Sequence, residues 1–233
     1  MKPDKFENMA FYINGLSTRT GSELVSYLSD FDTNMFLSDS NREVLQKTEQ
    51  KLMNKRGKAH FFVSDNRDYY QVEEVINRAF KTLKTLDCAI NNFSLQTVPT
   101  NIIDCSADFM LRSCMSSLSS VFLLMKYELT LMLGLQKKCT IINLFASTKE
   151  IDFKNSHATT AFLHAVKGLT ISTAKTYHES GISIKSFLVQ FEDKKRKGGS
   201  ISDIVKITDV ENPVNESMPS SIQEIVASLL GDK

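Results

Sequence analysis

Gly15 and Gly21, six residues apart, lie between the apolar run Met9–Ile13 and the amphipathic run Ser22–Leu28. Strand, glycine-bearing turn and helix in that order can hold a pyrophosphate. Glycine lets backbone come close to the phosphates, and the helix start presents unpaired N–H groups. Two glycines are a weak signal on their own. Asp39 strengthens it, because it ends the next apolar run, Asn34–Leu37, where a carboxylate can accept hydrogen bonds from the ribose hydroxyls of an adenosine. The competing expectation is that Asp39 caps the polar helix that starts near Asn41. A second place for chemistry is the stretch from Thr140 to Thr170: a strand ending near Ala146, a loop, and a helix carrying Thr159 and Leu163 on its first turns. Ser147, Thr159 and His157 are the groups there that could act on a substrate.

Other chemistries find less support. Cys88, Cys105, Cys114 and Cys139 contain no Cys-x-x-Cys pair, and the four histidines are dispersed. No metal site or disulfide framework is expected. A net charge of +1 supplies no global field for nucleic acid, and the basic run Lys194–Lys197 reads as a solvated loop. No apolar run is expected to reach the roughly 18–20 residues of a membrane span. The N-terminus lacks a signal-peptide core, so a cytoplasmic location without membrane or nucleic-acid partners is expected.

The elements that must position these residues follow from periodicity. Strands are expected at Met9–Ile13, Asn34–Leu37, His60–Val63, Leu86–Ile90, Ile141–Ser147 and Ser183–Val189. Helical spacing recurs over Ser22–Leu28, Arg42–Lys55, Tyr70–Leu83, Phe109–Leu135, Ala158–His178 and Ser220–Leu230. Alternating strands and long helices predict one α/β domain over residues 1–233, a Rossmann-like doubly wound parallel sheet of about six strands with helices on both faces. Residues 192–219 lose the pattern and are expected to form a mobile insertion over the crevice.

The order of these pieces resembles the short-chain dehydrogenase/reductase family over nearly the whole chain, with 3-oxoacyl-ACP reductase-like proteins as a specific likeness. The matched pieces are Asn14-Gly15 through Gly21, Asp39, Asp65 through Asp68, Leu86-Asp87 through Asn91-Asn92, Val121–Lys126, Ile141–Asn143, His164–Thr170 and Gly181–Ile184. The resemblance implies an NAD cofactor site. Gly15 and Gly21 would be the outer glycines of the phosphate loop, Asp39 the ribose-binding acid, Asp65 the acid beside the adenine, and Asn91 the first Asn of the family's NNAG motif. Arg19 takes the middle glycine's place, and Phe93-Ser94 replace Ala-Gly. Arg19 could pair with a pyrophosphate or fill its space, and the leading expectation is that Arg19 and Phe93 obstruct the cleft.

The same resemblance places the family's catalytic asparagine, serine, tyrosine and lysine at Ser117, Ala146, Thr159 and Leu163. None of the four types is kept. The family's last strand is also expected to be missing. The leading expectation is thus a non-catalytic descendant with a binding or regulatory role, a homo-oligomer or a hetero-oligomer with an active reductase, paired through its two long helices. The alternative is an NAD(H)-dependent oxidoreductase with a non-standard site. A third is an adenine-nucleotide sensor holding its ligand through Asp39 and Asp65.

Overall fold

The computed structural model describes residues 6–95, 101–147, 151, 155–195, 201–209 and 221–230. Seven strands form one sheet: β1 (Ala10–Asn14), β2 (Asn34–Asp39), β3 (Lys58–Val63), β4 (Cys88–Ser94), β5 (Cys139–Ser147), β6 (Ile182–Lys195) and β7 (Ile201–Asp209). Their spatial order is β3-β2-β1-β4-β5-β6-β7. The first six run parallel. β1 and β5 are buried at every position, as strands covered on both faces must be, so they read as continuous apolar runs rather than alternating ones.

The covering layers are helical. On one face α1 (Arg19–Leu28), α2 (Arg42–Leu52) and α6 (Ile222–Leu230) bury Leu24, Leu28, Leu45, Ile225 and Val226 against Phe11, Ile13 and Leu37. On the other, α3 (Tyr69–Leu83), α4 (Ala107–Leu135) and α5 (His157–Tyr177) pack Val72, Ile76, Leu124, Met132 and Val166 against Tyr12, Ala89 and Ile141. Side-chain caps start five of these helices: Thr18 for α1, Asn41 for α2, Asp68 for α3, Ser106 for α4 and Ser221 for α6.

Two expectations need correction. Residues 192–195 continue β6, and Ile201–Asp209 form a seventh strand antiparallel to it, from Phe187↔Asp209 to Lys195↔Ile201. Part of the supposed insertion is therefore a hairpin that extends the sheet; the rest of 192–219 lies outside the described residues. Charged side chains broke the apolar pattern in this hairpin, but backbone pairing needs no apolar side chains. The second concerns α4. By length and composition it is apolar enough to cross a membrane, with a mean hydropathy of 1.4 over 18 residues. Part of that apolarity is spent on the sheet and on its helical neighbours, where Val121, Leu124, Met125 and Met132 are buried, while Leu111, Met115 and Phe122 are exposed.

Strand order reverses between β1 and β4, which pair side by side while their crossovers diverge to opposite faces. The carboxyl ends of these strands therefore open a crevice, the place where ligands sit in such sheets.

Candidate active site

The turn from β1 into α1 is built on backbone contact. Gly15 has φ of 74°, and a Cβ on it would stand 2.1 Å from the Asn92 carbonyl oxygen. A Cβ on Gly21 would meet the Gly15 carbonyl oxygen at 2.4 Å. Both positions need glycine to keep the turn pressed against β4 and the helix against the turn. Thr18 locks the helix start: its hydroxyl donates to the Gly15 carbonyl at 2.7 Å and accepts from the Gly21 N–H at 3.0 Å.

Asp39 is 5% exposed at the tip of β2. Its Oδ2 accepts from the Ser17 N–H at 2.7 Å, and its Oδ1 accepts from the Ser17 hydroxyl at 2.8 Å and the Asn41 N–H at 2.7 Å. It thus ties the glycine turn to β2, and Asn41, not Asp39, caps α2. Asp65 accepts from Arg67, with the Arg67 Nη2 donating to Oδ2 at 2.6 Å and Nε to Oδ1 at 2.9 Å. Those side-chain hydrogen bonds hold the Asp65 carboxyl below its ordinary range.

A cleft of about 460 Å³ runs over these groups, lined among others by Gly15, Ser17, Asp39, Asp65, Asn66, Asn92 and Phe93. That volume is ordinary for a ligand site, where about 300–1,000 Å³ is usual. The expected obstruction is not found. Arg19 does not line the cleft: its Nε donates to Glu23 at 2.7 Å, and its guanidinium lies 4.4 Å from the centre of the Phe191 ring. Phe93 stacks nearly parallel on Phe145, centroids 5.2 Å apart, and forms a wall rather than a plug.

Asn91 is not at the cleft either. It is fully buried on the opposite side of β4, its Nδ2 donating to Asn143 Oδ1 at 3.0 Å and to Glu128 Oε2 at 3.1 Å, its Oδ1 accepting from Asn14 Nδ2. Asn14 in turn accepts from Asn66 Nδ2 at 2.8 Å, so a chain of amides links the buried acid to the cleft floor. Burial pushes the Glu128 carboxyl up to about 8, partly offset by the Asn91 hydrogen bond. Asn92, the next residue, takes the cleft side. Its Nδ2 donates to the Asn14 carbonyl at 2.7 Å, while its Oδ1 is buried and has no partner among the described residues; the same is true of Asn66 Oδ1.

A second cavity of about 270 Å³ adjoins the cleft and shares Ser94, Leu95, Ser116, Ser117 and Phe162 with it. Ser117 and Thr159 both line it, so α4 and α5 bring these two together. Ala146 and Leu163 do not line it: Ala146 is 8% exposed on β5 and Leu163 is buried beside the sheet. Ser147 is buried at the end of β5 and His157 half-buried at the start of α5, and neither lines a described cavity.

Residues 10–190 match the family model of the short chain dehydrogenases, well over half of the chain. The chain belongs to the short chain dehydrogenase family. It is 24% identical over 239 residues to a cyclohexanol dehydrogenase of Acinetobacter sp., covering 98% of this chain and 90% of the relative. It is 23% identical over 176 residues to a 2,5-dichloro-2,5-cyclohexadiene-1,4-diol dehydrogenase of Sphingobium indicum, covering 76% and 69%. The fold superposes on that of an NAD+-bound xylitol dehydrogenase with a TM-score of 0.72 at 20% identity, over 82% of this chain and 73% of the other. It superposes on a metagenomic short-chain oxidoreductase in complex with NADP with a TM-score of 0.73 at 15% identity, over 97% and 92%. These relatives overturn the expectation of a non-catalytic descendant, since both curated ones are dehydrogenases and nothing among them points to a binding-only role.

Within this short chain dehydrogenase scaffold the sequence had concealed several residues that shape the site. Ser17 fastens Asp39, Arg67 fastens Asp65, and Asn92 rather than Asn91 meets the cleft. Strand alternation holds the signal for the last of these, because Asn91 and Asn92 on one strand must face opposite sides. Glu128 had no signal beyond its place in an apolar helix.

Proposed function

We propose that the protein is an NAD(H)-dependent oxidoreductase acting on a carbonyl or hydroxyl substrate through a non-standard site. The observation that carries this reading is the continuity of the two cavities, which puts the Ser117 and Thr159 hydroxyls at the inner end of a cleft that begins at Gly15 and Asp39. The residues present fit a dinucleotide. The unpartnered Oδ1 atoms of Asn66 and Asn92 can accept from nucleoside donors, and Asp39 Oδ2 accepts one described hydrogen bond, leaving capacity for a ribose hydroxyl. Its charge disfavours a phosphate on that ribose, hence NAD(H) over NADP(H).

Gly15, Asp39, Asn66 and Asn92 would hold the dinucleotide, which would supply a hydride acceptor for the carbinol carbon of an alcohol, the hydroxyl proton leaving to solvent. The chain's own part is to bind and orient. With Thr159, Leu163, Ala146 and Ser117 where relatives by resemblance carry the proton relay, Ser117 and Thr159 act as hydrogen-bond partners that hold the substrate oxygen. Neither can replace a phenol, whose ordinary pKa is about 10, as a titrating acid. General acid/base catalysis is worth about 100- to 10,000-fold, so turnover is expected to be slow by that factor.

The test follows nicotinamide absorbance with NAD+ and a panel of small secondary alcohols, and with NADH and the matching ketones. The proposal expects slow, saturable turnover, reduced about tenfold in Thr159→Ala. Turnover that is absent from the native chain across the panel would overturn it.

A further inference from the structure

The inner cavity has a chemical character that the oxidoreductase reading does not use. Among its described lining residues none is charged: Phe109, Ser113 and Ser117 recur one turn apart along α4, and Thr159 and Phe162 line it from α5. A carboxylate, phosphate or amine would find no counter-charge among these described residues, and burying a charge without one is costly. At about 270 Å³ the cavity is at the small end of ligand sites.

The hydroxyls are also kept available. Elsewhere on α4 and α5, hydroxyls fold back onto the carbonyl one turn earlier: Ser120 to Ser116, Thr130 to Lys126, Thr160 to Ser156, Thr173 to Leu169 and Thr176 to Ser172. Ser113, Ser117 and Thr159 make no such bond to the described residues, and all three are half-buried in the cavity wall. Ser113 and Ser117 are one turn apart on α4, which sets their Cβ atoms about 5–6 Å apart. Two hydroxyls of one small molecule can therefore be met by separate serines of α4 while its ring lies against Phe162 of α5.

We infer that the substrate of this site is a small uncharged ring compound bearing two oxygens, a cyclic diol or hydroxyketone, with Ser113 holding the oxygen that does not react. This rests on the oxidoreductase reading for its reactive end, where Ser117 and Thr159 meet the other oxygen. Ser113 is a specificity residue in this account, remote from the reacting carbon.

The experiment titrates the native chain with cyclohexane-1,2-diol, cyclohexanol and cyclohexanecarboxylate, by saturation-transfer NMR and calorimetry, with and without NADH. One additional neutral hydrogen bond is worth about 0.5–1.5 kcal/mol, or roughly 2- to 12-fold in affinity. The diol should bind about 10-fold tighter than cyclohexanol, and the carboxylate should not bind. In Ser113→Ala, a change that suits a helix, the ratio should fall to within about twofold, with cyclohexanol affinity unchanged. Equal affinity for diol and cyclohexanol in the native chain, a preference for the carboxylate, or no diol binding at all would overturn the inference. A preserved diol preference in a chain that fails to bind NADH would instead sink the oxidoreductase reading and leave the cavity's selectivity standing.

Discussion

The two ends of the crevice differ in how much of their chemistry the chain has satisfied for itself. At the outer end Asp39 is tied to Ser17 and Asn41, and Asp65 to Arg67, so the acids a nucleotide would address already accept internal hydrogen bonds. At the inner end Ser113, Ser117 and Thr159 line a cavity with no described partner for their hydroxyls. The outer end is thus held ready by rigid turns, and a ligand there shares its acids with the protein and uses the acceptor capacity that Asp39, Asn66 and Asn92 keep. The inner end is open, and its ligand displaces water rather than a protein partner from these hydroxyls. Cofactor affinity should accordingly be modest and sensitive to the acids, while substrate discrimination should depend on individual hydroxyls.

The largest test of that contrast installs, in and beside the inner end, the residue types that the resemblance implies for the family. Ser117→Asn, Ala146→Ser, Thr159→Tyr and Leu163→Lys together should raise turnover about 100- to 10,000-fold if the outer end works as proposed. No gain would locate the limitation at the outer end. Next, Asp39→Arg should weaken NADH binding by at least about 100-fold in calorimetry. It removes charge-assisted hydrogen bonds worth about 1.5–3 kcal/mol each and sets a cation in their place. Unchanged NADH affinity would break the assignment of Asp39 to the ribose.

Gly15→Ala should destabilise the fold by on the order of 3 kcal/mol in chemical denaturation, from a left-handed backbone and the approach of its Cβ to 2.1 Å from the Asn92 carbonyl.

Glu128 gives a pH signature beneath both ends. Its carboxyl is raised from an ordinary 4.5 to about 8 by burial, so between those values the folded chain holds a proton that the unfolded chain has lost. Stability should therefore fall as pH rises from about 4.5 through about 8 and level off above. Glu128→Gln should flatten that slope in Tm measured from pH 5 to 9, whereas an unaltered slope would assign the loss to other groups.

The smallest effect is expected at Arg19→Ala. Its pair with Glu23 and its contact with Phe191 are partly exposed and together worth about 1 kcal/mol. Since the side chain does not line the cleft, NADH affinity should change less than threefold.

Much of the outer end was legible in the sequence because backbone geometry demands particular residue types. Gly15 and Gly21 announce a turn where no Cβ fits, and Asp39 announces the end of β2. The parallel sheet of six strands followed from the alternation of buried runs with long helices. What was not legible depends on residues distant in the chain. The direction of Arg19 is decided by Phe191 on β6, and the role of Asn91 by Glu128 on α4. β7 escaped because an edge strand carries its pairing in the backbone, and Ile201–Asp209 alternates too many polar residues to read as core. The inner cavity is made where α4 and α5 meet, and no local pattern in either helix marks Ser113 as facing Thr159.

The most direct measurement of the central claim is a calorimetric titration of the native chain with NADH and, separately, NADPH. Saturable one-to-one binding of NADH below millimolar concentration, weaker for NADPH, is the predicted result. No heat from NADH at millimolar concentration would contradict a working cofactor cleft between Gly15 and Asp39.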